Sequence, residues 1–153
     1  MASKGQLTGM AGVYYAAAEL SKMGFIVTPT ARNAQGIDLL IANHNGPRVY
    51  SAQVKTNAKT FGFWLLSEKN TSLQSKTLFY IFINLRKTGV EYYVVPSKLV
   101  VSKILVSKSK SKKTGKESTW YSFYMEHAQK YRDKWIEAFR NPESDRASYR
   151  CAS

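Results

Sequence analysis

The chain has 153 residues and carries 23 Lys and Arg against 10 Asp and Glu, a formal net charge of +13 at pH 7. A hydrophobic content of 44% with 13% aromatic residues excludes an intrinsically disordered chain and predicts a single globular domain over residues 1–140. No apolar run is long enough to span a bilayer, and the first residues do not resemble a signal peptide. We therefore expect a cytoplasmic protein without a membrane partner. Because polyanions attract so basic a chain, we expect a nucleic acid to be its partner.

Cysteine and histidine are too scarce to predict a zinc site. The single cysteine, Cys151, cannot form an internal disulfide, which is typical of a reducing compartment. The two histidines, His44 and His127, are far apart in the sequence. No set of Cys and His has the spacing of a zinc-binding motif.

The first half of the chain predicts one helix followed by short strands. The helix covers residues 8–23, with Thr8 as its N-cap and Gly24 just past its end. Turn-forming residues at 43–47 separate two of the strands, which is typical of a hairpin. The predicted strands lie at residues 25–28, 37–42 and 48–55.

The second half predicts further strands, a basic loop and a C-terminal helix. Lysines alternate with Ser, Thr and Gly over residues 107–116, and no acid interrupts them, so we expect a flexible basic loop at 106–118. Aromatic residues near helical spacing predict a helix at 119–139, packed through its aromatic face. The remaining predictions are strands at 61–66, 78–85 and 91–95, a short helix at 97–105, and a tail at 141–153.

Three polar residues converge in this arrangement. Side chains alternate between the two faces of a strand, so Gln53 and Lys55 share one face, and the hairpin brings Asp38 beside them. Only Glu19 and Asp38 are acidic among the first 67 residues, a region with six Lys and Arg. An acid, an amide oxygen and an amine can together bind a divalent metal and a phosphate. The alternative is that Asp38 only closes a strand end and Lys55 is a solvated lysine.

The order of these motifs resembles the PD-(D/E)xK nuclease superfamily, which includes restriction endonucleases and archaeal Holliday-junction resolvases. The resemblance covers residues 8–95 and depends on a helix with Glu19, the triplet Gly36-Ile37-Asp38 and the triplet Gln53-Val54-Lys55. It implies an α/β, restriction-endonuclease-like fold. Its central mixed β-sheet would be flanked by helices, with an extra helix at the C-terminus.

The resemblance also implies roles for individual residues. Asp38 would be the principal metal ligand, and Gln53 would supply a neutral oxygen where the superfamily usually has Asp or Glu. The Val54 carbonyl would complete that side of the metal shell, and Glu19 would contact the metal directly or through water. Lys55 would orient or help deprotonate the attacking water and stabilise charge on the phosphorane. The implied cofactor is Mg²⁺, with Mn²⁺ able to substitute.

Basic and polar residues outside this cluster are candidates for contact with DNA. For the lysines of the predicted loop, the alternative is a solvated segment that keeps the protein soluble. The candidates are Arg32, Asn33, Lys59, Lys108, Lys110, Lys112 and Lys113.

Three functions remain open from the sequence. The first is a metal-dependent DNA endonuclease, acting in a restriction-like or resolvase-like manner. A homodimer would suit it, since cutting both strands usually takes two active sites. The second is an inert DNA-binding protein of the same fold, because Gln53 removes one negative charge from the metal site. The third is an unrelated basic RNA-binding domain, supported only by charge and aromatic content.

Overall fold

The computed structural model describes residues 1–31, 36–44 and 48–139. The helices are α1 (Lys4–Lys22), α2 (Ser97–Lys103), α3 (Met125–Ala128) and α4 (Trp135–Phe139), with 3-10 turns at Glu68–Thr71 and Gln129–Tyr131. The strands are β1 (Ile26–Pro29), β2 (Leu39–Ala42), β3 (Val49–Asn57), β4 (Phe63–Leu66), β5 (Leu78–Arg86), β6 (Gly89–Pro96), β7 (Leu105–Lys110) and β8 (Glu117–Tyr124).

The first helix begins earlier than the sequence predicted. Ser3 caps α1 by accepting a hydrogen bond from the Gln6 amide at 3.2 Å, and the Gln6 side chain accepts one from the Ser3 amide at 2.8 Å. This reciprocal capping satisfies two of the free amides at the helix start. The choice of Thr8 as N-cap was therefore wrong. The predicted helix end was close, since α1 stops at Lys22 and Gly24 follows with a φ of 88°.

A five-stranded mixed sheet forms the centre of the molecule, in the order β1-β2-β3-β5-β6. The predicted hairpin is present, with β2 antiparallel to β3 and Leu39 opposite Ala52. β3 and β5 are parallel, and the remaining pairs are antiparallel. Gln53 lies beside Tyr80 and Lys55 beside Phe82, so these four side chains share one face of the sheet.

Each face of this sheet is covered by a different layer. On one face α1 and α4 bury a cluster that includes Val54, Ile83 and Tyr92. On the Gln53 face a second sheet, in the order β4-β8-β7, buries Trp64 and Phe123 against Phe82.

A glycine sets the distance between α1 and the central sheet. A Cβ atom at Gly12 would overlap the side-chain oxygen of Thr56. Only glycine allows the helix to approach β3 so closely, since any side chain at this position would collide with the threonine. This contact fixes the middle of α1 against the C-terminal end of β3.

The sequence predictions for residues 106–139 were wrong. Instead of a loop at 106–118, β7 and β8 form a hairpin whose tip is at 111–116. Instead of one helix at 119–139, β8 continues to Tyr124, and only short α3, a 3-10 turn and α4 follow. β8 pairs with β4 on one side and β7 on the other, and this tertiary pairing overrides the apparent helical spacing. The tail at 141–153 lies outside the described residues.

Among the residues that the structure describes, no helix combines the length and apolar character needed to cross a bilayer.

Candidate active site

Asp38 lies where β2 begins, held by its main chain between two strands. Its amide donates a hydrogen bond to the Ala52 carbonyl at 2.8 Å, and its carbonyl accepts one from the Thr30 amide at 3.0 Å. The Thr30 hydroxyl also donates to the Ile37 carbonyl. These contacts fix the backbone from which the carboxylate projects.

β3 extends past the start of β2, and the Asp38 carboxylate binds a backbone amide of β3 in the part that β2 does not pair. Its Oδ2 accepts a hydrogen bond from the Val54 amide at 2.7 Å. Alternate residues of a strand direct their backbone groups to opposite neighbours, and Ala52 bonds toward β2. The Val54 carbonyl therefore points to the same side of β3 as its amide. This geometry leaves a carboxylate and a main-chain carbonyl on one side of one strand.

Asp38 and Lys55 interact electrostatically in a partly dry environment. Burial raises the pKa of the Asp38 carboxyl, against the opposing effects of the Val54 amide and the Lys55 ammonium. Burial lowers the pKa of the Lys55 ammonium, against the attraction of the Asp38 carboxylate. For both groups, burial disfavours the charged form, and the opposite charge of the partner favours it. A buried acid and base with perturbed pKa values are typical of functional sites.

Gln53 is buried and is held by a second amide. Its Oε1 accepts a hydrogen bond from Asn70 Nδ2, and the same nitrogen lies 3.1 Å from the Tyr80 hydroxyl. Asn70 is 1% exposed, and its Oδ1 accepts hydrogen bonds from the amide and hydroxyl of Ser67 at 2.8 and 2.9 Å. The Ser67 contacts fix which end of the Asn70 amide faces Gln53.

Asn70 was not among the site residues predicted from the sequence. It lies in a polar segment between β4 and β5, in the 3-10 turn at Glu68–Thr71. The spacing of Ser67 and Asn70 suits a capping interaction, which the structure shows. Nothing local indicated that the asparagine would reach Gln53, because that contact depends on the packing of the turn over the sheet.

Gly36 brings the chain before Asp38 against Gln53. Its φ is 77°, a conformation that favours glycine. A Cβ atom at this position would lie 2.9 Å from Leu73 Cδ2 and 3.6 Å from Gln53 Nε2. The close approach explains why a glycine precedes the acid by two residues.

A cavity of about 220 Å³ reaches Asp38 on the α1 side of the sheet. Its lining consists of Gln6, Gly9, Met10, Val13, Asp38 and Val54. The N-terminal half of α1 is thus the wall that faces Asp38. The space lies between α1 and the chain around Asp38 and Val54.

Glu19 lies elsewhere on α1. It forms an ion pair with Lys22 at 3.1 Å, and its charge adds to the burial that raises the pKa of Tyr92 to about 12. Tyr92 is on β6, two strands from β3 and so about 10 Å away, while Asp38 lies on the opposite side of β3. Glu19 is also about 9 Å further along the helix than Val13. The structure therefore does not bring Glu19 together with Asp38, Gln53 and Lys55.

The predicted DNA contacts fall into three groups. Arg32 and Asn33 lie outside the described residues. Lys59 follows β3, with Nζ 5.6 Å from the centroid of the Phe61 ring and its carbonyl accepting a hydrogen bond from Arg86. The hairpin lysines are all exposed, on β7 or at the tip, and are Lys108, Lys110, Lys112 and Lys113.

The ligands available for a divalent metal are few. Within residues 1–31, 36–44 and 48–139, no group of three or more His, Cys, Asp and Glu is placed to hold a metal ion. The candidate oxygen donors are the Asp38 carboxylate, the Val54 carbonyl and Gln53 Oε1, and the last already accepts a hydrogen bond from Asn70. Mg²⁺ commonly binds through one or two carboxylates, with waters and substrate phosphates completing its shell. This donor set fits a metal held jointly by the protein and a phosphate.

Comparison with known proteins identifies the fold. No protein-family model and no curated protein sequence matches the chain. The solved structure of a bacterial homing endonuclease, I-Ssp6803I, is 17% identical with a TM-score of 0.60, over 97% of this chain and 99% of that chain. The Holliday junction resolvase Hjc from the archaeal hyperthermophile Archaeoglobus fulgidus is 13% identical with a TM-score of 0.45, over 76% of this chain and 90% of that chain. The predicted restriction-endonuclease-like fold is confirmed.

Proposed function

We propose that the protein is a metal-dependent DNA endonuclease that hydrolyses phosphodiester bonds. The observation that carries the proposal is the electrostatic interaction of the Asp38 carboxylate with the Lys55 ammonium, both partly buried. The two groups lie where β3 extends past the start of β2. A structural neighbour that aligns over 97% of this chain is a homing endonuclease, which supports the same proposal.

Asp38 has the role of metal ligand in this proposal. The Val54 amide fixes one carboxylate oxygen, and the Val54 carbonyl lies on the same side of β3. Gln53 Oε1, oriented by Asn70, adds a neutral oxygen. A Mg²⁺ or Mn²⁺ ion bound there would polarise the scissile phosphate and lower the pKa of a bound water.

Lys55 has the role of stabilising the transition state. A cation in a partly dry site interacts more strongly with charge that develops on a phosphate than the same cation would in water. Burial also lowers the pKa of its ammonium group, so its neutral form is more accessible than that of an exposed lysine. Lys55 can therefore orient the attacking water as a donor or help remove its proton.

Glu19 is not assigned a role in this proposal. Its ion pair with Lys22 and its position near Tyr92 provide a structural explanation for the residue. The proposed site consists of Asp38, Gln53, Val54 and Lys55, with Asn70 as a positioning residue. DNA is the proposed partner, since the chain carries a net charge of +13.

An inert DNA-binding protein is the second candidate. Its support is the presence of one carboxylate among the donors and the engagement of Gln53 by Asn70. Metal dependence separates the two functions. Cleavage of supercoiled plasmid that requires Mg²⁺ or Mn²⁺ and stops on addition of EDTA supports the endonuclease. DNA binding without cleavage under every metal condition supports the inert protein.

A further inference from the structure

The outer face of the three-stranded sheet carries several exposed apolar side chains and no charged residue. The register of β4, β8 and β7 places alternate residues of each strand on the face that points away from the central sheet. This outer face consists of Phe63, Leu65, Leu105, Ser107, Ser109, Ser118, Trp120, Ser122 and Tyr124.

Five of these nine residues have large apolar or aromatic side chains, and the other four are serines. Phe63 lies 5.7 Å from Tyr124 and 5.3 Å from Phe61, between ring centroids. Exposure is 49% for Leu65, 52% for Leu105 and 47% for Trp120. Exposed apolar side chains gathered on one face mark sites of association in soluble proteins, because burying them is favourable.

Charge is excluded from the outer face. None of its nine residues, all within the described strands, is Lys, Arg, Asp or Glu. On the paired strands of the same hairpin, the charged residues occupy the opposite face, and they are Lys108, Lys110 and Glu117. Its tip carries Lys112, Lys113 and Lys116. Lys59 approaches only at the margin, where its Nζ lies over the Phe61 ring.

We propose that the outer face is the surface through which two copies of this chain associate. Two chains of net charge +13 repel each other, so they can approach closely only through surfaces that carry no cation. A face used for nucleic acid would combine its aromatic side chains with Lys or Arg. The separation of charge in the hairpin therefore favours a second copy as the occupant, in a symmetric contact of the same face with itself. This inference does not depend on the proposed endonuclease activity.

Neighbouring residues on β7 provide a matched pair of variants. Leu105 and Val106 are 52% and 51% exposed, but they point to opposite faces of the hairpin. Leu105→Lys adds a cation to the outer face, and Val106→Lys adds one to the face that already carries lysines. Leu65→Lys tests the outer face from β4. Circular dichroism of each variant establishes that it is folded.

The measurement is the molar mass in solution, without DNA or metal, by light scattering coupled to gel filtration. We expect the wild type and Val106→Lys to show twice the 17.3 kDa of a single chain, and Leu105→Lys and Leu65→Lys to show that of one chain. A monomeric wild type, or outer-face variants that remain dimeric, would overturn the proposal. With a monomeric wild type, binding of a single-stranded oligonucleotide that Trp120→Ala abolishes and Val106→Lys preserves would assign the face to nucleic acid instead.

Discussion

Asn70 presents the nitrogen of its side-chain amide to Gln53, because its oxygen is already bonded to Ser67 at 2.8 and 2.9 Å. Asn70 is 1% exposed, so these contacts are shielded from bulk solvent. The pocket around position 53 is therefore built for a side chain that offers an oxygen to Asn70. Glutamine and glutamate both satisfy this requirement.

The first prediction concerns Gln53→Glu. Asn70 can donate to the new carboxylate as it does to the amide, so we expect the variant to fold. The second carboxylate near Asp38 should tighten Mg²⁺ binding, because a hard cation prefers charged oxygen ligands. Isothermal titration with Mg²⁺ measures the effect. Gln74→Glu adds the same charge at an exposed position and should leave Mg²⁺ binding unchanged. Equal affinities for wild type and Gln53→Glu would remove Gln53 from the metal site.

The second prediction compares two glycines with positive φ. Gly24 and Gly36 have φ values of 88° and 77°, but a Cβ atom meets nothing within 4 Å at Gly24 and lies 2.9 Å from Leu73 at Gly36. In both alanine variants, the left-handed backbone conformation should lower the free energy of unfolding by roughly 1–2 kcal/mol. Overpacking against Leu73 should lower the free energy of unfolding of Gly36→Ala by a further ~1–3 kcal/mol. Urea unfolding gives both values, and equal losses would show that the contact with Leu73 is relieved without cost.

The fold around the site was largely predictable from the sequence, because it depends on interactions between residues that are close together in the chain. Turn residues between two apolar runs predicted the hairpin of β2 and β3, and alternation along β3 placed Gln53 and Lys55 on one face, as observed. The start of α1 was misplaced because the capping pair of Ser3 and Gln6 was overlooked. These features depend on neighbours within a few residues in the chain.

The features that depend on packing were not predictable in this way. The aromatic spacing of β8 predicts an amphipathic helix, yet the segment is a strand because β4 and β7 pair with both of its edges. Glu19 was grouped with Asp38 through a sequence resemblance, but the path of α1 across the sheet carries it to Tyr92 on β6. Asn70 reaches Gln53 across 17 residues of chain. Each of these outcomes is decided by contacts between distant segments.

The third prediction concerns Asp38→Asn and stability. Burial raises the pKa of the Asp38 carboxyl above its ordinary value of 3.8, so the folded protein binds this proton more tightly than the unfolded chain. The contribution of this carboxyl to the free energy of unfolding of the wild type therefore falls as the pH rises from 3.8 through the raised pKa. Above the raised pKa the contribution is constant. The asparagine side chain of the variant is neutral at every pH and can still accept the hydrogen bond from the Val54 amide. We expect the variant to be the more stable protein at neutral pH.

Urea unfolding at several pH values measures this effect. The stability difference between Asp38→Asn and wild type should grow with pH and then level off. Glu117→Gln, at an exposed position on the hairpin, is the control and should show no such growth. A variant that is less stable than wild type at neutral pH would show that the carboxylate is stabilised by its surroundings, contrary to the burial argument.

The fourth prediction concerns the lysines of the hairpin. Each phosphate contact that a lysine makes contributes about −0.9 to the slope of log affinity against log salt concentration. Alanine at all four hairpin positions should therefore flatten this slope without unfolding the protein, since the four side chains are exposed. The variant replaces Lys108, Lys110, Lys112 and Lys113.

Fluorescence anisotropy with a DNA duplex over a range of salt concentrations gives the slope. A control variant removes the same charge from four exposed lysines elsewhere, namely Lys22, Lys87, Lys98 and Lys103. A slope that changes equally in both variants would indicate an effect of net charge alone. An unchanged slope in the hairpin variant would make its lysines a solvated surface.

The central claim is that Asp38 and Lys55 form a hydrolytic site, and DNA cleavage by their alanine variants tests it most directly. The substrates are a supercoiled plasmid and a four-way junction, each with Mg²⁺ and with Mn²⁺. We predict that wild type and the control Lys87→Ala cleave DNA, while Asp38→Ala and Lys55→Ala bind it with similar affinity and cleave about 10²–10³-fold more slowly. Cleavage by either site variant at the wild-type rate, or a wild type that binds DNA and cleaves neither substrate, would contradict the claim.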